Sequence, residues 1–334
     1  MKFGFFVNAQ HPRGESVPQR IAEASEQVRL ARDAGFHMIC AGQHYLSHPY
    51  QMSAIVPLLA RLTADAEGME IAATVFLLPL LNPVDVAETS ATLDAMSGGR
   101  FIMGVGIGYR DEEYAAFGVQ RSERIGRLTE GLEIIRRLWT EDEVEYNGSY
   151  YRVPKVRIAT HPVQKPHPPI WVAANGPPAI ARAARWGYPW IINPHATTGM
   201  VSGQLERYRK AAAEAGQAMP DTIPMMRELY VARDSASAYA ESRPHLESKY
   251  AAYASWGQDK ALPEGESFSV PFDELARGRF LIGNPDEVVR EVQRYRDELG
   301  VNHLNVRLQW PGMPHADAMR QLDILGREVL PRFR

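Results

Sequence analysis

Short apolar runs alternate with longer amphipathic segments along most of the chain. The first run, KFGFFV at residues 2–7, is typical of a buried strand. In the segment that follows, apolar or small side chains recur at Ile21, Ala24, Val28 and Ala31, which is the spacing of one helix face. Gly35 then marks the end of that helix. The pattern therefore predicts one strand followed by one helix.

This strand-and-helix unit recurs eight times. Because amphipathic crossovers between apolar strands produce a parallel sheet, and eight such strands can close on themselves, we expect an α/β fold. Specifically, we expect a (β/α)8 TIM barrel that occupies residues 1–334 as a single domain. A doubly wound open sheet is the alternative that the pattern leaves open. The predicted strands cover residues 2–7, 36–41, 69–79, 100–106, 169–174, 189–193, 223–233 and 303–310.

Two segments interrupt the alternation and are predicted to be insertions in the barrel. Residues 140–169 contain Asn147-Gly148 between alternating side chains, which predicts a hairpin, and then a proline-rich run. Residues 234–284 follow the seventh predicted strand and are too long for a plain connection. The aromatic residues of this second insertion favour an ordered lid; they are Tyr250, Tyr253, Trp256, Phe268 and Phe272.

Composition and charge narrow the class of protein. Hydrophobic residues make up 45% of the chain and charged residues 23%, as in ordinary globular proteins. The net charge of -3 provides no basic field for a nucleic acid or an anionic membrane. No apolar run is long enough to span a bilayer and the first ten residues lack the core of a secretory signal, so we expect a cytoplasmic protein. Cys40, the single cysteine, has apolar neighbours and is predicted to be a buried thiol.

In a barrel of this type the active site lies at the carboxyl ends of the strands. That rule selects a set of side chains rich in amides, which suits a neutral heteroaromatic ligand with many donors and acceptors. The set contains no metal-binding pair, no paired acids for glycoside chemistry and no nucleophile beside a histidine, so we expect no metal site. The candidates are Asn8, Gln10, Gln43, His44, Thr74, Phe76, Gly106, Asn175, Gly176, Asn193, His195, Arg227, Gln309 and Trp310.

Glycines stand at alternate positions after the fourth predicted strand, at Gly104, Gly106 and Gly108. The dinucleotide-binding fingerprint requires the different spacing G-x-G-x-x-G at the first strand-to-helix turn. By themselves these glycines are equally well interpreted as a strand end that turns sharply.

The chain resembles, over nearly its whole length, the bacterial luciferase-like (LLM class) flavin-dependent oxidoreductases. Three stretches carry the resemblance: ARDAGFHMICAGQHY at residues 31–45, LLPLLNPVDVAETSATLDAMSGGRFIMGVGIGY at residues 77–109, and PIWVAANGPPAIARAARWGYPWI at residues 169–191. The resemblance implies the barrel, an insertion that covers the site, and a flavin or deazaflavin at the carboxyl ends of the strands. In that setting the glycines let the backbone approach an isoalloxazine ring or its ribityl chain.

The resemblance also implies roles for individual residues. His44 matches the histidine that acts as an acid/base group beside the flavin, and a histidine that only hydrogen-bonds a neighbouring loop is the alternative. Asn175 and Gly176 match positions that bind the cofactor phosphate, with Pro177 in the first turn of the next helix. A plain helix start is the alternative for this segment.

Further cofactor contacts are implied at the first, third and fourth strands. Family members commonly have a cis peptide beneath the flavin, and the matching bond lies near Ala73-Thr74. Asn8 and Gly106 are assigned to the cofactor as well. The luciferases carry a cysteine and an arginine after the fourth strand, where this chain has Gly106 and Ile107, so one phosphate-binding guanidinium is missing at that point.

The resemblance implies a reaction class with alternatives. We expect a monooxygenase that uses reduced FMN and O2, through a flavin peroxide, to oxygenate a small hydrophobic or aromatic organic substrate. A separate NAD(P)H:flavin reductase would supply the reduced flavin, and a homodimer would form through the second and third helices. A deazaflavin-dependent hydride-transfer enzyme and a flavin-binding protein without turnover are the alternatives.

Trp310 is expected to give the substrate a flat apolar wall at the barrel mouth. A tryptophan packed beneath the lid is the alternative for this position. The residues assigned to the substrate are Gln10, Phe76, His195, Arg227, Gln309 and Trp310.

Overall fold

A computed structural model describes residues 1–259, 262 and 267–334. Residues 260–261 and 263–266 of the predicted lid insertion lie outside the described residues. Eight parallel strands form the central sheet: β1 Lys2–Phe6, β3 Met38–Ala41, β5 Glu70–Leu77, β6 Phe101–Gly106, β9 Ile170–Ala173, β10 Trp190–Ile191, β11 Pro224–Val231 and β13 His303–Arg307.

The sheet closes into a barrel. Its hydrogen-bonded order runs from β10 through β9, β6, β5, β3, β1 and β13 to β11. A bridge between Ile192 and Met225 joins the two ends of that order. At this seam the Ile192 N–H donates to the Pro224 carbonyl and the Met226 N–H donates to the Ile192 carbonyl, both at 2.9 Å. The predicted (β/α)8 barrel is thus confirmed, and the open-sheet alternative is wrong.

Helices cover the outside of the barrel and also form part of the lid insertion. Their ends follow local chemistry: the Ser16 hydroxyl accepts the Gln19 N–H at the start of the first helix, and Gly35 ends that helix at φ 96°. The helices are α1 Val17–Ala34, α2 Ile55–Leu62, α3 Pro83–Met96, α4 Asp111–Ala116, α5 Arg124–Thr140, α6 Pro177–Arg185, α7 Thr198–Glu214, α8 Ser235–Ser255, α9 Phe272–Ala276, α10 Pro285–Leu299 and α11 His315–Ile324.

Five short strands lie beside the barrel strands. Strands β2 (Gln10–Pro12) and β4 (Tyr50–Met52) pair antiparallel at the barrel mouth. Strands β7 (Val144–Asn147) and β8 (Arg152–Val156) form an antiparallel hairpin whose turn includes Asn147-Gly148. Strand β12 (Leu281–Gly283) pairs in parallel with the end of β11.

The core has an outer and an inner layer. The outer layer packs the strands against the helices, as alternating strand side chains require. The inner layer lies inside the barrel and includes Phe6, Met38 and Trp171. Cys40 is fully buried in this inner layer, and burial raises the pKa of its thiol to about 12.

The lid carries its own apolar cluster. Helix α8 runs for 21 residues and its Tyr250 and Tyr253 pack with residues after α8. We call this set the lid cluster; its buried members include Tyr230, Leu246, Tyr250, Tyr253, Phe268, Phe272, Leu275, Phe280, Trp310 and Met313. Within the described part of the chain, no helix is both long and apolar enough to cross a membrane.

Candidate active site

A cavity of about 610 Å³ opens at the carboxyl ends of the barrel strands and extends beneath the lid. Side chains from the strand ends form its floor and walls, and Lys249, Tyr253 and Trp256 close it from the lid side. Its size is that of a small-molecule site. The predicted candidates among its lining residues are Gln10, Gln43, His44, Thr74, Gly106, Asn175, Gly176, Asn193, His195 and Arg227.

His44 lies against a buried carboxylate. Its Nδ1 is 3.4 Å from Oε1 of Glu113, whose side chain is fully buried. The same Oε1 accepts the Tyr45 N–H at 2.9 Å and lies 3.7 Å from Nη1 of Arg110. Because these two groups hold the carboxylate, Glu113 can fix the orientation of the imidazole at the cavity wall.

Backbone atoms form a flat part of the cavity wall. A Cβ at Gly106 would lie 2.9 Å from a methyl group of Val75, and one at Gly42 would lie 3.0 Å from the Thr74 carbonyl oxygen. A Cβ at Gly104 would lie 2.2 Å from the Ala73 carbonyl oxygen, so a side chain is excluded there as well. Close approach of adjacent strands therefore disfavours a side chain at these glycines. Gly42 and Gly106, which line the cavity, leave a smooth surface that suits a planar ring.

The third strand departs from regular geometry at this wall. The cis peptide joins Thr74 and Val75, one bond beyond the expected Ala73-Thr74 bond. The register between β5 and β6 shifts between Ala73 and Phe76. Thr74 and Val75 line the cavity, whereas Ala73 and Phe76 pack in the outer core. The expectation that Phe76 contacts the substrate is corrected, because the shift breaks the simple alternation of side chains along the strand.

Cationic side chains lie near the start of α6. Asn175 and Gly176 line the cavity together with Arg121 and Arg124. Pro177 is the first residue of the helix and is followed by Pro178, and neither has an N–H to donate. Pro177 is absent from the described cavity lining. Arg121 is already paired with Asp111 at 2.5 Å, so Arg124 is the cation at this end that is available to an anion.

Trp310 belongs to the lid cluster and is only 1% exposed. Its indole N–H donates to Oε2 of Glu228, and its ring stacks on Tyr230 at 6.1 Å between centroids. The expected aromatic wall at the cavity is thus corrected in favour of packing beneath the lid. Gln309 is also turned away: its Oε1 accepts from Gln27 and its Nε2 donates to the Met313 carbonyl.

Buried charges line another part of the cavity, around Tyr253. Lys249 of α8 forms an ion pair with Glu228 of β11, and both side chains are 1% exposed. Burial lowers the pKa of Lys249 to about 7, against the opposing effect of Glu228. Arg307 of β13 also lines the cavity, and its Nη2 donates to Oδ1 of Asn8 at 2.7 Å. Asn8 itself is not among the described lining residues; its Oδ1 holds Arg307 in place, and its contact with the cofactor stays a prediction.

His195 and Arg227 lie at the barrel seam. The His195 Nδ1 is 3.2 Å from the Tyr250 hydroxyl, and burial, aided by the nearby cations Lys249 and Arg279, holds the pKa of the imidazole well below its usual range. Arg227 donates through Nη1 to the carbonyls of Asn193 at 3.0 Å and Met226 at 3.2 Å. Arg227 therefore ties β11 to the segment after β10.

Sequence reasoning missed several residues in or directly behind the cavity wall. Glu113 lies in the first turn of a short helix, where an acidic residue is normally a solvated helix terminus. Lys249 lies on an insertion whose path the pattern did not predict. Arg307 did give a signal, because an arginine within the apolar run HLNVRLQW requires a buried partner or a cavity.

Comparisons with known proteins agree on the type of fold and differ on the cofactor. A family profile described as luciferase-like monooxygenase matches residues 1–303. F420-dependent glucose-6-phosphate dehydrogenase of Amycolatopsis mediterranei is 28% identical over 325 residues, which cover 92% of this chain and 93% of the relative. The oxygenase component of the flavin-dependent trigonelline monooxygenase of Acinetobacter baylyi is 24% identical and covers 100% of this chain and 96% of the relative.

Solved structures share the fold. Monooxygenase RslO1 from Streptomyces bottropensis superposes with a TM-score of 0.89 and 28% identity, with all of both chains covered. An F420-dependent secondary alcohol dehydrogenase superposes with a TM-score of 0.79 at 20% identity, covering 100% of this chain and 99% of the other.

Proposed function

Because the chain belongs to the luciferase-like monooxygenase family, we propose that it is an FMN-dependent monooxygenase that oxygenates a small organic substrate with O2. A separate NAD(P)H:flavin reductase would supply the reduced FMN. The observation that carries this proposal is the similarity to a monooxygenase over the full length of both chains, at a TM-score of 0.89 and 28% identity.

The cavity fits a flavin. The smooth wall at Gly42, Thr74, Val75 and Gly106 suits a planar isoalloxazine ring, and the cationic end of the cavity suits the phosphate. Arg124 donates to the Arg121 carbonyl and has no carboxylate within ion-pair distance among the described residues, so its charge is free for a phosphate. When bound, reduced FMN supplies the two electrons that activate O2.

His44 is proposed to hold and transfer the proton that the reaction moves. Its imidazole lines the cavity and is backed by Glu113, the arrangement expected of an acid/base group oriented by a third residue. Glu113 is fully buried and bonded to the Tyr45 N–H, so it acts on His44 rather than on the substrate.

Aromatic side chains are proposed to exclude water from the reacting groups. The His44 ring lies between Tyr109, at 5.6 Å, and Trp256, at 5.5 Å between centroids. Trp256 stacks on Tyr253 at 5.2 Å, and its indole N–H donates to the His48 carbonyl at 2.9 Å. This packing fixes the lid over His44, and a dry site favours oxygenation over release of hydrogen peroxide.

A deazaflavin-dependent hydride transfer is the second candidate function. The similarity to F420-dependent glucose-6-phosphate dehydrogenase, at 28% identity over 92% of this chain, favours it. The His44 and Glu113 pair would serve this reaction equally well, because transfer of a hydride to a carbonyl also requires a proton at the oxygen.

Reconstitution tests the two functions. The apo protein is titrated with FMN and with F420, and binding is followed by quenching of cofactor fluorescence. We expect FMN to bind more tightly, and we expect reduced FMN with O2 to convert members of a panel of small aromatic and heteroaromatic compounds to products that carry an 18O label from 18O2. Tight F420 binding with hydride transfer and no 18O incorporation would replace the monooxygenase with the second candidate. Binding without either reaction would contradict both.

A further inference from the structure

Gln10 presents an unused hydrogen-bond donor in the cavity. Its side chain is 1% exposed, and its Oε1 accepts from the Tyr253 hydroxyl and from Nη2 of Arg307, each at 3.1 Å. These two donors fix the orientation of the amide, because only its oxygen can accept from both. The amide nitrogen Nε2 is buried and has no acceptor among the described residues. A buried donor without a partner is costly unless a ligand supplies the acceptor.

Arg307 lacks a counter-ion in the described part of the protein. It is 7% exposed, and its acceptors are all neutral: Asn8 Oδ1 at 2.7 Å, Gln10 Oε1 at 3.1 Å, the Gln309 carbonyl at 3.2 Å and the Tyr253 hydroxyl at 3.4 Å. No described carboxylate lies within ion-pair distance of it. Neutral acceptors satisfy the geometry of the guanidinium, and Glu228, its partner across the β11 and β13 pair, compensates its charge only from beyond ion-pair distance.

The nearest buried carboxylate is already engaged. Glu228 accepts from Lys249 through Oε1 and from the Trp310 indole through Oε2. Lys249 lies 5.0 Å from the Tyr253 ring centroid, so the ion pair adjoins the same region of the cavity. Glu228 is therefore shared between two cations, because, against the opposing effect of burial, Lys249 and Arg307 both hold the pKa of its carboxyl below the usual range. One carboxylate faces two cationic side chains, so a bound anion would balance the second charge.

We infer that Gln10, Tyr253 and Arg307, here called the inner wall, bind a carboxylate group of the substrate. One carboxylate oxygen would accept from Nε2 of Gln10, and the negative charge would face the Arg307 guanidinium. This inference rests on the proposed function, since it places the substrate on the inner wall and the flavin ring against the glycine-lined wall. It adds a carboxylate group to the small hydrophobic or aromatic substrate expected from the sequence.

Binding of matched acids and amides tests the inner wall. Benzoate, phenylacetate and their primary amides are titrated against the FMN-loaded and the apo protein, with affinity obtained from the shift in thermal unfolding. We expect the acids to bind at least about ten-fold more tightly than the amides, because a charge-assisted hydrogen bond is stronger than a neutral one. FMN affinity is measured separately. Failure to bind FMN would contradict the proposed function, and the preference for acids over amides would then be tested in the apo protein.

Two substitutions at Gln10 test whether the preference for acids over amides comes from the inner wall. Q10E introduces a carboxylate beside Arg307 and should weaken benzoate binding by about a hundred-fold, with benzamide affinity changed by less than about three-fold. Q10M removes only the donor and should weaken benzoate binding by roughly ten-fold. If Q10E does not fold, Q10M still tests the inference.

The matched control is Q258E, which adds the same charge at another cavity-lining glutamine. We expect it to weaken benzoate binding by less than about three-fold, because the acid does not contact that position. Equal acid and amide affinities in the unmodified protein would overturn the inference, and so would equal losses in Q10E and Q258E. Loss of FMN affinity in Q10E with benzoate binding retained would assign the inner wall to the cofactor and overturn it as well.

Discussion

A single carboxylate makes His44 different from a solvent-exposed histidine. Glu113 has no solvent exposure, and the Tyr45 N–H and Arg110 hold it in place. Arg110 in turn donates to the carbonyls of Tyr45 and Leu46, at 2.5 and 3.0 Å. The loop after β3 and the helix α4 after β6 are thus bonded through one carboxylate, which places the imidazole at the cavity wall.

At this scale we predict that H44A lowers turnover by on the order of 10² to 10⁴, the usual effect of losing an acid/base group. E113Q should lower turnover by roughly ten-fold, because it preserves the acceptor for Tyr45 and removes the charge beside the imidazole. FMN affinity should change by less than about three-fold in both variants. Single-turnover kinetics and FMN titration check this, and a normal turnover number in H44A would refute the role given to His44.

Individual residues were predicted from the sequence only where one rule decides their position. The rule that a barrel's active site lies at the carboxyl ends of its strands correctly predicts that His44, Thr74 and Asn175 line one cavity. It fails for Phe76, because the irregular register of β5 redirects the side chain. It fails for Trp310 because the indole N–H donates to a buried carboxylate. That carboxylate, Glu228, lies on a strand far away in sequence.

At the scale of elements, α8 is fastened to the barrel by polar as well as apolar contacts. Lys249 of α8 pairs with Glu228 of β11, and Tyr253 of α8 donates to Gln10. Trp310 completes the arrangement from the loop after β13. Sequence patterning predicted an ordered lid from its aromatic residues, but periodicity carries no information about which strands a lid helix contacts.

We predict that W310F destabilises the protein by about 1 to 3 kcal/mol, because it removes a buried hydrogen bond to Glu228 and part of the lid cluster. The matched control, W186F, changes a partly exposed tryptophan outside the described cavity lining and should cost less than about 1 kcal/mol. Urea unfolding measures both. If W310F has unchanged stability but binds substrate more weakly, the result would indicate that the indole contacts the substrate at the cavity wall.

At the scale of the whole molecule, the repeating pattern was sufficient to predict the barrel, because each strand-helix unit is encoded locally. The closing seam was not predictable, since it depends on one residue, Ile192, just after the two-residue strand β10, pairing with Met225 of β11. The homodimer through α2 and α3, the second and third predicted helices, stays a prediction.

Acid should destabilise the fold through buried histidines. Burial lowers the pKa of His303 to about 3, and that of His11 to about 4. Since both folded-state values lie below the ordinary value near 6.5, the stability these groups contribute is present above that pH and is lost as the pH falls below it. For His303 alone, we predict a loss of about 3 kcal/mol between pH 6.5 and 4.

Urea unfolding across this pH range tests that prediction. The variant H303Q should be less stable at neutral pH and should show a flatter decline in the free energy of unfolding towards pH 4. The same substitution at the exposed His161 should leave the decline unchanged. An identical pH dependence in H303Q and the unmodified protein would contradict the assignment.

The seam between β10 and β11 has fewer backbone pairs than the neighbouring joint between β11 and β13. Five residue pairs join β11 to β13, whereas a single bridge with two backbone hydrogen bonds joins β10 to β11. Beyond that bridge, a side chain takes the place of backbone pairing, because the Arg227 guanidinium donates to the Asn193 carbonyl. Local opening favours the joint with the fewest bonds, so we expect the ring to open first at this seam. Two backbone hydrogen bonds and the Arg227 side chain therefore close the barrel at this joint, which lies beside His195 at the edge of the cavity.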